Sequence, residues 1–361
     1  MPRETLAGHK QSEILIPRFE GDVGTFTYKD KIIPIHKGKT LWDFEHGGQH
    51  YQIPVFSIWD YDNHEQIARL ITQGKVCAMY MWGTYGTGLL INSPEWQRKQ
   101  PDERDKNHPS EHTKKNSLTD ADKLRQVKQG RPADMPFVPF MYPDDMIDLW
   151  DTDRLHKNYR HLQWAGARHK LYESGPVHII APTKERNPHV DLSMIKGKDH
   201  TTSYFYMPHP GWERVIKMLR KEVKHAIFGG GSLNIHGRQP AFKTAQLYHE
   251  LEKTPDWFLT IELVVVDEIS EIYEINRGQT QIRLPIKNSD GVCKLVRKGA
   301  RYHHTWSQQT GYPVKDAPEG IKPASSLKPY THLNDMVIDL NVTESKRAMD
   351  KYDKQTAQSS S

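Results

Sequence analysis

The sequence predicts a mixed α/β fold, with helices packed on a twisted sheet and a set of short strands ahead of it. Two observations carry this reading. Apolar strand-like runs alternate with amphipathic helical runs through most of the 361 residues, the pattern of strands joined by crossover helices. Strand-like runs also cluster toward both ends of the chain, which argues for a mixed rather than a purely parallel sheet.

Residues 12–55 alternate apolar and polar positions (Ile14, Ile16, Phe26, Tyr28, Ile32, Ile33 and Ile35) between Gly and Lys-Asp punctuation, and are read as an N-terminal β extension over residues 1–54. Asp62 or Asn63 then caps a helix that runs to Thr72, with Ile67, Leu70 and Ile71 on one face and Gly74 at its end. A buried strand is expected over 75–81, followed by a loop of Gly83-Thr84-Tyr85-Gly86-Thr87-Gly88. Residues 93–127 are rich in Pro, Lys, Asp, Glu and His and lack apolar periodicity, so they read as a charged surface insertion. Beyond them come a strand at 137–141, a helix from Asp144 to about Trp150, strands at 177–181 and 203–207, and a helix over 211–222 with Val215, Met218 and Leu219 inward. Gly230-Gly231-Ser232 reads as a glycine turn ahead of a helix-like run from Lys243 to Glu252. Strands at 259–266, 282–286 and 292–296 complete a main domain over 55–305. A Pro-, Ser- and Lys-rich tail, 306–361, holds one further strand-like run at Met336–Leu340.

Composition narrows the function classes. The formal charge of +5 and the isoelectric point near 8.9 suit a nucleotide or RNA ligand without requiring one. The two cysteines, Cys77 and Cys293, exclude a disulfide framework and a cysteine-based zinc site, and both lie in apolar runs that suggest buried thiols. The first residues lack an apolar signal core, and the longest apolar stretch, near Leu259–Val266, is far too short for a bilayer span. A soluble, cytoplasmic protein without membrane contact is the expectation. The twenty histidines make chance neighbours common, and pairs such as His156/His161 and His303/His304 lack metal-ligand partners.

The segment Ser232-Leu233-Asn234-Ile235-His236-Gly237-Arg238-Gln239-Pro240 carries the densest signal. A hydroxyl and an amide two residues apart, set among glycines, can reach a phosphate or nucleoside without obstruction. Gly74-Lys75-Val76 leads into Thr84-Tyr85-Gly86-Thr87-Gly88. Lys128-Gln129-Gly130-Arg131-Pro132 precedes the strand at 137, and Ser174-Gly175-Pro176-Val177-His178 opens another. Tyr206-Met207-Pro208-His209-Pro210 precedes a helix. Gln279-Thr280-Gln281-Ile282 is followed by Val296-Arg297-Lys298-Gly299-Ala300. In this order the six segments resemble the YrdC-like family, whose members include the threonylcarbamoyl-adenylate synthases, and the resemblance covers roughly residues 60–302. It implies a single twisted mixed sheet of YrdC type.

The resemblance further implies an ATP-dependent carbamoyl-adenylate synthase of nucleotidyltransferase type. Such an enzyme joins bicarbonate to an amine and passes the carbamate to the α-phosphate of ATP, with Mg²⁺ accompanying the triphosphate. A carbamoyltransferase partner and a place in tRNA modification follow from the same resemblance. It assigns Lys128, Arg131, Ser232, Asn234, Thr280 and Arg297 to the nucleotide, and Thr84, Tyr85, His178 and Tyr206 to the second substrate; no catalytic residue is singled out. Each also has a plainer reading: Arg131 as a surface arginine after a turn, Arg297 as the end of an edge strand, Thr280 as an ordinary strand residue, Tyr85 as core, His178 and His209 as structural. Arg131 at a strand entry and Ser232 and Asn234 leaving a turn would meet at one edge of the sheet.

Departures from the family pattern fall mainly on the substrate side. Tyr80-Met81-Trp82-Gly83 stands where the family has Pro-Thr-Asp-Thr, Gln129 replaces a lysine, Met135 another, Phe140 or a neighbour a histidine, and Tyr206 or Phe205 an arginine. Large rings in place of donors shrink and dry a pocket, so the acceptor is expected to differ from threonine. The alternative is a non-catalytic member that binds tRNA or double-stranded RNA through a retained basic surface.

Overall fold

A computed structural model describes residues 18–20, 23–28, 31–81, 83–91, 120–128, 131–132, 134–173, 175, 177–187, 190–206, 208–223, 225–234, 240–254, 257, 259–268, 270–273, 279–299 and 303–315. The strand-like run at Met336–Leu340, Trp82, Gly130 and most of the 93–127 segment lie outside these residues.

Strands β1 (Arg18–Glu20), β2 (Val23–Tyr28) and β3 (Lys31–His36) pair antiparallel in a sheet of their own. Strands β4 (Lys39–His46) and β5 (Gln49–Ser57) form a hairpin closed by Gly47-Gly48. Both glycines take positive φ, 58° and 74°, as a two-residue turn matched to strand twist requires. Helix α1 (His64–Thr72) buries Ile67, Ala68 and Ile71 and leads to β6 (Cys77–Tyr80), β7 (Tyr85–Leu90) and α2 (Asp120–Val127). Next come β8 (Val138–Met141), α3 (Ala165–Lys170), β9 (Val177–Pro182), β10 (Thr201–Tyr206), α4 (Pro210–Glu222) and β11 (Ile227–Ser232). The remainder is α5 (Thr244–Lys253), β12 (Leu263–Val266), β13 (Gln281–Arg283), β14 (Cys293–Arg297), α6 (His303–Thr310) and β15 (Val314–Lys315).

From β4 onward the strands join one sheet in the order β15-β14-β13-β9-β10-β8-β11-β7-β6-β12-β5-β4. Parallel pairs, such as β12 with β5 and β6, sit beside antiparallel ones, such as β11 with β7 and β8. This is the mixed α/β class the patterning predicted. The expected boundary between residues 54 and 55 falls inside β5, and the expected tail at 306 begins inside α6, whose Trp306 is fully buried and donates its indole N–H to Leu171 O at 2.8 Å. The large sheet therefore recruits chain beyond the 55–305 span at both ends.

Several local expectations change. The Asp144–Trp150 helix is only a 3₁₀ turn over Asp145–Asp148. The buried Arg168 guanidinium takes the carbonyls of Pro143, Asp144, Leu162 and Gln163, fixing a compact irregular backbone there. The last residues of the charged insertion form α2, whose Leu124 and Val127 are buried one helical turn apart; two apolar positions suffice to seat a helix on the sheet.

The glycine run 229–231 is not a turn but the middle of β11, paired with β7 so that Gly230 faces Gly88 and Ser232 faces Gly86. A Cβ on Gly230 would fall inside van der Waals contact of the Thr87 carbonyl oxygen. The two strands approach too closely for any side chain at that position, and this leaves a smooth, low floor in the middle of the sheet.

Candidate functional site

The sheet curls until distant strands meet. Gln279, ahead of β13, donates its side-chain N–H to Met81 O, beyond β6, at 3.0 Å, although β9, β10, β8, β11 and β7 lie between β13 and β6 in the sheet order. The concave face so formed encloses a cavity of about 400 Å³, within the range of small-molecule sites. One row of register partners, Arg297–Gln281–His178–Phe205–Phe140–Phe228, runs across six adjacent strands on this face.

Lys128, Arg131, Ser232, Asn234, Arg297, Thr84 and His178 line the cavity. Lys128 follows α2 and is 5 % exposed. Its ammonium donates to Ser232 Oγ and Asn234 Oδ1, each at 3.0 Å, and Ser232 Oγ–H in turn donates to Asn234 Oδ1 at 2.8 Å. Burial, then the nearby guanidinium groups of Arg131 and Arg297, push the Lys128 ammonium down to about 7; low dielectric and like charges both disfavour its charged form. Arg131 also follows α2 rather than opening a strand. Its guanidinium donates to Met135 O at 3.4 Å and to Pro136 O, and stacks 4.8 Å over the Phe137 ring. Arg297, at the end of β14, donates Nε–H to Gln279 O at 3.0 Å.

No carboxylate lines the cavity among the described residues, whereas three cations do. Arg131 and Arg297 depress Lys128, and Arg297 also depresses His178, whose main depressant is burial. His178 is therefore a neutral imidazole, with Nδ1 3.1 Å from Ser203 Oγ and its ring 4.8 Å from that of Phe205. Basic groups facing one cavity with no carboxylate among them are the arrangement that attracts an anion.

Thr280, Tyr85 and Tyr206 do not line the cavity. Thr280 is fully buried, and its Oγ accepts from Gly299 N at 3.2 Å. The Tyr85 hydroxyl donates to Glu271 Oε1 at 2.7 Å and sits beside Thr244 Oγ, tying β7 to the start of α5. Burial, with Glu271 beside it, raises its pKa well above the usual phenol range. The Tyr206 hydroxyl donates to Glu213 Oε1 at 2.5 Å. In an extended chain neighbouring side chains face opposite sides, so Phe205 reaches the cavity while Tyr206 does not, and Gln279 and Gln281 reach it while Thr280 does not. Those two glutamines, Ser203, Met79 and Phe228 are among the lining residues sequence reasoning passed over, and Phe140 and Phe205 line the cavity at positions noted only as departures from the family pattern; strand parity around His178 and Thr280 was a signal that could have found the glutamines, Ser203 and Phe205.

His209 is structural. Its Nδ1 accepts from Gly211 N and Trp212 N at 3.1 and 3.3 Å, capping α4, and its Nε2 lies 3.2 Å from Asp267 Oδ2 in the core.

No protein-family model matches the chain, and no curated protein matches it in sequence. Solved structures similar to it include P. abyssi Sua5 complexed with L-threonine, at 18 % identity over 75 % of this chain and 66 % of that one, with a TM-score of 0.47. E. coli YciO is similar at 14 % identity over 66 % of this chain and 90 % of that one, with a TM-score of 0.42. T. kodakarensis HypF is similar at 14 % identity over 73 % of this chain and 26 % of that one, again with a TM-score of 0.42. This chain thus spans just under two thirds of the length of the Sua5 it matches. No helix among the described residues is long and apolar enough to cross a membrane.

Proposed function

We propose that the chain is an ATP-dependent carbamoyl-adenylate synthase with an acceptor other than threonine. One observation supports this most strongly. Lys128, Arg131, Ser232, Asn234 and Arg297, drawn from three separate stretches of sequence that resemble the family's nucleotide side, converge on one cavity that no described carboxylate lines.

The chemistry matches what these residues offer. An amine and bicarbonate condense to a carbamate and water. A carbamate oxygen then attacks the α-phosphorus of ATP, and the bond to the β-phosphate oxygen breaks, its electron pair leaving with pyrophosphate. Charge on the triphosphate and on the departing pyrophosphate is what Lys128, Arg131 and Arg297 would offset. Guanidinium groups grip phosphate oxygens in pairs, while the ammonium acts as a point charge steered by Ser232 and Asn234. The neutral His178 is an acceptor or donor of hydrogen bonds rather than a standing charge. Phe140 and Phe205, at most 3 % exposed, keep part of the cavity dry, which protects a hydrolysable carbamate and its mixed anhydride. A carbamoyltransferase partner would receive the product.

Magnesium is expected only as a companion of the triphosphate. Among the described residues no carboxylate lines the cavity, and no group of His, Cys, Asp and Glu is placed to hold a metal ion. These residues do not fit a protein-held magnesium ion, and no step is assigned to one. The cations converge on one cavity of about 400 Å³, a size that suits a small polyanion. Calorimetric titration of ATP tests the reading: binding in the wild type and its loss in Lys128→Ala support it, and equal binding by both proteins contradicts it.

A further inference from the structure

Part of the cavity lining is basic, at Lys128, Arg131 and Arg297, and another part, its floor, is apolar. Phe140, Phe205 and Phe228 are 3, 0 and 2 % exposed, and their rings follow one another across three strands with centroids 5.7 and 6.0 Å apart. Beside them Met79 Cε lies over Gly88, where an added Cβ would meet it at 2.9 Å, and Met81 Sδ lies over Gly86. These five side chains offer three rings and two thioethers, with no N–H or O–H donor and no strong acceptor among them. A hydroxyl placed on these five side chains would leave its water partners and find none among them, the polar groups nearby including His178 and Ser203 beside Phe205, whereas a hydrocarbon would gain by leaving water. The edge of a nucleobase, with ring nitrogens and an exocyclic amine, is equally ill-matched to this patch.

We propose that the acceptor is an amino acid with an aliphatic or aromatic side chain, seated on Phe140, Phe205, Phe228, Met79 and Met81 with its carboxylate toward the basic groups of the cavity and its free amine available to form the carbamate. This rests on the carbamoyl-adenylate reading and names its substrate class. The two flexible methionines let the floor adapt to side chains of different shape, so leucine and phenylalanine both fit the class.

The experiment measures pyrophosphate release from ATP and bicarbonate by the full chain with leucine, phenylalanine or threonine as acceptor. Leucine or phenylalanine is expected to exceed threonine in kcat/KM by about ten-fold or more, the size of discrimination an apolar pocket supplies. In Met81→Thr, checked for fold by circular dichroism, that ratio is expected to fall by about five-fold because a hydroxyl partner then stands on the floor. Turnover with threonine equal to or better than with leucine and phenylalanine overturns this inference and leaves the synthase reading standing. An unchanged ratio in folded Met81→Thr overturns it too. No release with any amino acid overturns the synthase reading, and this inference with it.

Discussion

The Lys128 ammonium stands 3.0 Å from both Ser232 Oγ and Asn234 Oδ1, residues 104 and 106 positions away in sequence. The contact joins the end of α2 to the end of β11. It places a buried cation, with two neutral oxygens to hold it, beside the guanidinium groups of Arg131 and Arg297.

The first prediction concerns Lys128→Met. Loss of a charge-assisted contact should weaken ATP binding by about 10- to 100-fold. Stability should respond in the opposite sense at neutral pH. Lys128 sits at about 7 in the fold against 10.5 ordinarily, so between these values the unfolded chain binds more protons than the folded one. Its contribution to stability is therefore full above about pH 10.5 and is lost as pH falls toward 7. Urea unfolding at pH 7 and pH 9 should show a smaller rise in stability with pH in Lys128→Met than in the wild type. An identical rise in both would refute the burial argument.

Arg131→Ala should cost more ATP affinity than Asn234→Ala. The guanidinium contact is charge-assisted, worth roughly 1.5–3 kcal/mol, whereas a neutral amide contact is worth roughly 1 kcal/mol. Arg131→Lys should not restore wild-type affinity, because an ammonium lacks the planar fork. Calorimetry on the three variants checks the order; equal losses in Arg131→Ala and Asn234→Ala would contradict it.

Gly230→Ala should destabilise the protein by about 3 kcal/mol, because its Cβ would press on the Thr87 carbonyl oxygen and force β7 and β11 apart. Gly166→Ala is the control. It lies in α3 with nothing within 4 Å of the added carbon and should be neutral or stabilising by roughly 0.5–1 kcal/mol. Similar urea midpoints for the two variants would argue against the close strand approach.

Asp267→Asn tests the core pair. Asp267 Oδ1 accepts from the Trp59 indole N–H at 2.6 Å, and Oδ2 faces His209 Nε2 at 3.2 Å, with both residues at most 1 % exposed. Burial alone would raise the Asp267 pKa, but His209 and Ser270 hold it below its ordinary value of 3.8. Replacing the carboxylate weakens its charge-assisted hydrogen bonds to Trp59 and His209, at a cost of roughly 1.5–3 kcal/mol, readable as a lower urea midpoint. A shift below about 1 kcal/mol would mean that the contact is not a structural tie.

Much of this was legible in the sequence where the signal is local. The α1 helix declared itself through Ile67, Ile71 and Gly74, and the resemblance of their segments to a known family singled out Lys128, Arg131, Ser232, Asn234 and Arg297, which line one cavity. What was not legible depends on partners far along the chain. Gly230-Gly231-Ser232 read as a turn because glycines in a row normally mark one; only the facing Gly88, Thr87 and Gly86, more than 100 positions earlier, make them a strand. The α2 helix was masked by its charged surroundings, its apolar content reduced to Leu124 and Val127. Tyr85, Thr280 and Tyr206 are each one residue from a position that lines the cavity, a difference set by strand parity that motif spacing does not resolve.

The central claim is that this cavity couples ATP cleavage to carbamate formation. Pyrophosphate release should be measured with the wild-type chain, ATP, Mg²⁺ and leucine, with and without bicarbonate. The account predicts release that requires both bicarbonate and the amino acid and is lost in Lys128→Met. Release that proceeds equally without bicarbonate, or no release with any acceptor, would contradict it.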